Sequence, residues 1–88
     1  MRLFESEQAQ SDKLKIRKDY PKSIQKRLVR MVNEMLETPF KGIGKPEPLK
    51  YELTGMWSRR LTDNERIVFY VEGDTLNIMR YLSHYNDK

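Results

Sequence analysis

A change of hydrophobic period at one proline limits the folds open to this chain more than any other feature. Before it, Ile24, Leu28, Met31, Val32, Met35 and Leu36 recur at i, i+4, i+7, i+8, i+11 and i+12, the apolar stripe of an amphipathic helix. Lys26, Arg27, Arg30, Asn33 and Glu37 fall mostly outside that stripe. Pro39 disfavours helix in Thr38, so the helix ends there. Asp19-Tyr20-Pro21 reads as a break followed by a new start, because proline suits a first helical turn. An earlier helix is expected from Ser6, a capping residue with Glu7 behind it to suit the dipole. It runs to about Lys18 with a thin stripe of Ala9, Lys13, Ile16 and Tyr20. Residues 2–4 suit a short first strand.

After Phe40 the pattern is that of a sheet. Lys41 to Pro48 reads as a loop in which Pro46 and Pro48 flank a single glutamate, Glu47. Strand-like runs are expected at Leu49–Leu53, Met56–Thr62, Arg66–Val71 and Leu76–Leu82. The last two meet across Glu72-Gly73-Asp74, a hairpin turn. Ile67, Phe69 and Val71 alternate with Arg66, Val68 and Tyr70, which gives one apolar face. With 88 residues, 38% of them hydrophobic, there is room for one domain and one modest core. The expected class is α+β: two N-terminal helices packed as a hairpin on a twisted antiparallel sheet, in a single domain over residues 1–88.

Composition narrows the chemistry. The chain has no cysteine and one histidine, His84, so disulfides and thiolate nucleophiles are absent and a zinc site would be unusual. Metal-free chemistry without a cofactor is expected. No apolar run approaches the roughly 20 residues of a membrane span, and the N-terminus lacks a secretory h-region; a cytoplasmic protein with no membrane contact is expected. The net charge is +4 and the pI about 9.4. The excess lies in Lys13, Lys15, Arg17, Lys18, Lys22, Lys26, Arg27 and Arg30, against Asp19 alone. Such a surface suits a polyanionic partner, nucleic acid or acidic protein, or serves only solubility.

Metal-free cleavage of RNA can use the 2′-hydroxyl as nucleophile. It needs a base at that hydroxyl, an acid at the leaving 5′-oxygen and cations around the phosphate. Glu47, the arginines Arg59, Arg60 and Arg66, and the pair His84-Tyr85 supply such parts. Each also has a plainer reading. Glu47 can be a solvated loop residue, Arg66 a structural partner of Glu52 or Asp63, Trp57 core, and His84 surface. Arg59 and Arg60 are adjacent on a strand and must point to opposite faces, so one can act on substrate while the other does not.

A longer pattern bears on these alternatives. Thr38-Pro39-Phe40, Gly44-Lys45-Pro46-Glu47-Pro48-Leu49-Lys50 and Leu53-Thr54-Gly55-Met56-Trp57-Ser58-Arg59-Arg60 are followed by Arg66-Ile67-Val68-Phe69-Tyr70 and His84-Tyr85. In order and spacing this resembles the YoeB/Txe-type toxins of the RelE/ParE superfamily, over roughly residues 38–85. The first helix departs from many such toxins in having no tryptophan, and Leu82-Ser83 stands where many carry a basic–aromatic pair. The resemblance implies a RelE-like fold and the toxin of a type II toxin–antitoxin system, an endoribonuclease that cleaves mRNA in the ribosomal A site. It further implies neutralisation by a cognate YefM-type antitoxin and a homodimer. It assigns Glu47 as general base, His84 as general acid, Arg66 as the phosphate-stabilising cation and Tyr85 as a positioning group. Lys50, Arg59 and Arg60 become basic residues of the substrate groove. A non-cleaving RNA- or ribosome-binding inhibitor of translation is the alternative that the same basic surface would serve.

Overall fold

The structure is a computed structural model that describes residues 1–84. Its elements are β1 (Arg2–Glu5), α1 (Glu7–Asp19), α2 (Lys22–Met35), β2 (Glu47–Pro48), β3 (Trp57–Arg60), β4 (Glu65–Glu72) and β5 (Thr75–His84). The five strands form one sheet in the order β1-β5-β4-β3-β2. Neighbours from β2 to β5 are antiparallel, but β1 pairs parallel to β5, from Arg2 opposite Thr75 to Glu5 opposite Ile78. The sheet, expected to be antiparallel, is therefore mixed at one edge, where β1 lies beside the last strand of the chain.

The two helices form where periodicity and caps direct. Ser6 caps α1 by accepting a hydrogen bond from the Ala9 N–H, and Pro21 stands at the N-cap of α2. Ile16, Leu28, Met31 and Met35 bury against Ile67, Phe69, Leu76 and Ile78 of the sheet. Burial of such side chains is worth roughly 1.5–3 kcal/mol each before entropy is subtracted. The Tyr20 hydroxyl donates to the Glu65 carboxylate, tying the end of α1 to the start of β4. That bond, with burial, pushes the tyrosine pKa up to about 12.

The stretch Leu49–Leu53 is not a strand. The Leu49 N–H bonds the Met56 carbonyl and closes a hairpin whose tip is a short 3-10 turn over Tyr51–Leu53. Only Glu47 and Pro48 pair with β3, opposite Ser58 and Trp57. Prolines cost little there because β2 is an edge strand. Leu53 and Tyr51 are 47% and 86% exposed, so their hydrophobicity does not mark a core-facing strand.

The loop between α2 and β2 is held by one arginine. Arg59 has no exposed surface. One terminal nitrogen donates to the Glu34 carboxylate (2.5 Å) and the Ile43 carbonyl (3.1 Å). The other donates to the carbonyls of Thr38 (2.7 Å), Pro39 (3.0 Å) and Lys41 (2.7 Å). Glu34 also accepts the Ile43 N–H at 2.9 Å. Gly42, at φ +132°, passes so close that a Cβ would stand 1.9 Å from the Glu34 carboxylate. Phe40 packs on Trp57 and Phe69, with ring centroids 4.5 Å and 6.5 Å away, so Trp57 belongs with the core.

Arg59→Ala would take the shared donor from these carbonyls and from Glu34 and leave a cavity where the buried side chain stood, and is expected to cost about 3 kcal/mol or more in urea denaturation. Arg59→Lys should restore little, since an ammonium cannot reproduce the planar fork; full rescue by lysine would contradict this account. A pH effect follows as well. Arg59 and the Ile43 N–H hold Glu34 below its ordinary value of 4.5. For Asp12, burial acts upward, but Arg80 and the N–H groups of Tyr81 and Leu82 outweigh it and hold the group below 3.8. Depressed carboxylates contribute stability that is complete above their unfolded pKa and lost as pH falls through the folded one. The urea midpoint should thus be level above about pH 5 and fall towards about pH 3; a flat profile would contradict these pairings.

Candidate active site

Strand alternation places the chemistry on the sheet face opposite the helices. Ile67 and Phe69 of β4 enter the core, so Arg66 and Val68 point the other way. On β3, Arg59 turns to the helical side, and Ser58 lies on the face of Arg66. Arg66 is 6% exposed. Its Nη1 donates to the Glu47 carboxylate at 2.8 Å and to the Ser58 hydroxyl oxygen at 2.8 Å. Register produces this cluster: Glu47 stands opposite Ser58 on β3, and Arg66 stands opposite Ser83 on β5.

His84, at the end of β5, stands opposite Glu65, next to Arg66. It shares with Arg66 a groove of about 270 Å³, lined also by Leu49, Leu53, Ser58, Val68 and Ser83. The hairpin tip after β2 thus walls the groove with apolar side chains. Four kinds of functional group lie in or beside it: a carboxylate, a guanidinium, a hydroxyl and an imidazole. Glu47 is the more solvated partner of its ion pair, with 44% of its side chain exposed against 8% for Arg66. The arrangement offers a partly open carboxylate beside a buried, fixed positive charge. A phosphate entering the groove would meet that charge in surroundings of lower dielectric than water, where it acts more strongly.

The structure gathers some of the expected residues and separates others. Glu47, Arg66 and His84 come together from β2, β4 and β5. Lys50 is exposed just before the 3-10 turn, at the rim of the hairpin. Arg60 is the strand partner of Arg66 but lines a neighbouring cleft of about 600 Å³ with Arg27, Lys45 and Asp63. Arg59, expected in the substrate groove, is instead sealed under the loop, because its face of β3 is the helical one. Arg66 pairs with Glu47 rather than with Glu52 or Asp63. Tyr85 lies outside the described residues.

Ser58 carries little signal in the sequence. Its only signal there is its position between Trp57 and Arg59, which strand alternation assigns to the Arg60 face. Two backbone conformations mark the approach to the site. Lys45, just before Pro46-Glu47, has φ 55°, and Tyr51 has φ 60°. Non-glycine residues in this region carry strain that their surroundings must hold.

Comparison with known proteins agrees with this architecture. Residues 6–85 match the family described as YoeB-like toxin of bacterial type II toxin-antitoxin system. Toxin YoeB of Escherichia coli K12 is 43% identical over 89 residues, covering 97% of this chain and all of that one. A YoeB/ParE toxin from Agrobacterium tumefaciens superposes with a TM-score of 0.89 at 31% identity, over 97% of this chain and 100% of that chain. Two Staphylococcus aureus structures, a heterotetrameric YoeB-YefM toxin-antitoxin complex and a YoeB dimer, superpose with TM-scores of 0.83 and 0.84. Both are 30% identical, over 97% of this chain and 98% of theirs. The carboxylate–arginine groove is thus carried on a fold and a sequence that agree, and the chain belongs to the YoeB-like toxins of bacterial type II toxin–antitoxin systems.

Proposed function

We propose that this chain is a ribosome-dependent mRNA endonuclease that cuts in the A-site codon by metal-independent acid–base catalysis and so stops translation. The observation that carries the reading is the meeting of Glu47, Arg66 and His84 around one groove. Glu47 takes the proton from the 2′-hydroxyl, and the 2′-oxygen forms a bond to phosphorus. The bond from phosphorus to the 5′-oxygen breaks, and His84 gives that oxygen a proton. The products are a 2′,3′-cyclic phosphate and a 5′-hydroxyl. Arg66 faces the charge that builds on the non-bridging oxygens, where fixed charge lowers the barrier most. Ser58 holds the guanidinium from below while the phosphate competes with Glu47 for it. Lys50 and Arg60 extend the positive potential along the flanking backbone, and Tyr85 follows the acid as a positioning group. Two further assignments rest on the relatives: a YefM-type antitoxin as partner, and self-association as a dimer. The basic helices suit an acidic protein or ribosomal RNA equally.

The alternative, a binder that occupies the A site without cutting, uses the same basic surface but leaves Glu47 only the task of pairing with Arg66. A carboxylate beside the phosphate site weakens binding, so its presence favours cleavage. On preassembled ribosome–mRNA complexes, Glu47→Ala and His84→Ala should each slow cutting by roughly 10²–10⁴-fold. Lys50→Ala should mainly raise the protein concentration needed, in a salt-dependent way. If Glu47→Ala blocks translation as well as the unaltered chain does, without a cut, the binder reading is the right one.

A further inference from the structure

We infer that Asp12, on α1 and outside the groove, is a positioning residue for His84, a role that rests on the catalytic reading of that histidine. β1 accompanies β5 only as far as Ile78. Beyond it, side chains of α1 and its cap take over the outer edge of β5. The Ser6 N–H bonds the Ile78 carbonyl at 3.0 Å, and the Ser6 hydroxyl donates to the Met79 carbonyl at 2.8 Å. One oxygen of Asp12 then accepts the N–H groups of Tyr81 (3.0 Å) and Leu82 (3.1 Å) together with Arg80 Nε (2.8 Å). The second oxygen accepts from Arg80 Nη2 at 3.2 Å.

Consecutive N–H groups of a regular strand point to opposite sides, so two of them cannot meet on one oxygen. That they do marks an irregular stretch, and the pairing with β4 records it. Phe69 pairs with Ile78, Val68 with Arg80 and Arg66 with Ser83, with a register shift at each step. Continued without shifts, the ladder that starts at Phe69–Ile78 would bring Tyr81 opposite Arg66 and Leu82 opposite Glu65. The shifts place two extra residues on β5, as bulges do. Two residues of strand are about 7 Å. Without them His84 would lie that far beyond Glu65 and off the groove. Asp12 is 6% exposed, and a buried carboxylate is costly unless fully partnered. Its N–H partners, Tyr81 and Leu82, lie at the second of the two shifts, while the first falls at Met79, whose carbonyl Ser6 holds.

The lone histidine allows a direct test on the full chain. NOEs from its imidazole to groove protons, with single-turnover cutting rates, would be compared in the unaltered protein, Asp12→Ala and Arg80→Met. The second variant removes the ion pair but leaves the carboxylate on both N–H groups. Asp12→Ala is expected to lose the imidazole NOEs and slow cutting on the order of 100-fold with KM unchanged, while the methyl signals of Ile67 and Ile78 stay native. Arg80→Met should keep the NOEs and most of the rate. If Asp12→Ala keeps both, or if both variants lose them alike, Asp12 does not position His84. Should the alanine variant not fold, Asp12→Asn serves: its Tyr81 and Leu82 amide shifts should move together with the imidazole shifts, and amide movement with an unmoved imidazole and rate overturns the inference. Absence of cutting by the unaltered protein would sink the catalytic reading alone, because the NOEs report position without activity.

Discussion

A guanidinium with no exposed surface must find acceptors for its donors inside the protein, and that demand at Arg59 organises the middle of this molecule. The acceptors lie on the end of α2 and on the loop that leaves it: Glu34, Thr38, Pro39, Lys41 and Ile43. The loop is thereby folded back on β3, and Gly42 is pressed against Glu34. From Gly44, whose carbonyl accepts the Arg60 N–H at 2.6 Å, the chain passes through Lys45 and Pro46 to Glu47. Arg59, buried away from the groove, thus fixes the loop that delivers Glu47 to its place opposite Ser58. A charge at this depth is tolerated because the carboxylate of Glu34 and four backbone carbonyls accept from both terminal nitrogens, although Nε is buried without a partner among the described residues.

The adjacent residues Ser58 and Arg59 show how one strand serves two purposes. Arg59 stabilises the loop on the helical face, and Ser58 steadies Arg66 on the open face. β4 is divided in the same way between Ile67 and Phe69 inside and Arg66 and Val68 outside. A single-residue slip of β3 against β4 would exchange these roles. At the far side of the sheet, Asp12 and Ser6 act on β5 as Arg59 acts on the loop. Polar side chains on the helical side of the sheet, Arg59 from β3 and Asp12 and Ser6 from α1 and its cap, thus hold two of the three segments that meet at the groove.

The helices and the hairpin between β4 and β5 were legible in the sequence, because period, proline and glycine each point one way there. The strand at Leu49–Leu53 was misread, since leucines that wall a groove look like leucines that fill a core. The parallel pairing of β1 left no local mark, as strand partners are chosen by tertiary packing. Glu47, Arg66 and His84 were legible as a motif, but their meeting depends on register that spacing does not reveal. Arg59 looked like a substrate arginine because alternation says that Arg59 and Arg60 face apart without saying which faces inward. Asp12 gives no signal in the sequence, since an aspartate on a basic helix reads as surface. Only the irregular end of β5 explains its burial.

Cutting through the RNA's own 2′-hydroxyl makes a single sugar oxygen decisive. One 2′-deoxy nucleotide can be placed at the cleaved position of mRNA in preassembled ribosome complexes, and the ends and their termini mapped. All-ribose mRNA should be cut in the A-site codon, leaving a 2′,3′-cyclic phosphate and a 5′-hydroxyl, and the deoxy-substituted mRNA should stay whole. Cutting of the deoxy substrate at an unchanged rate, or stalled translation on intact all-ribose mRNA, would contradict that chemistry.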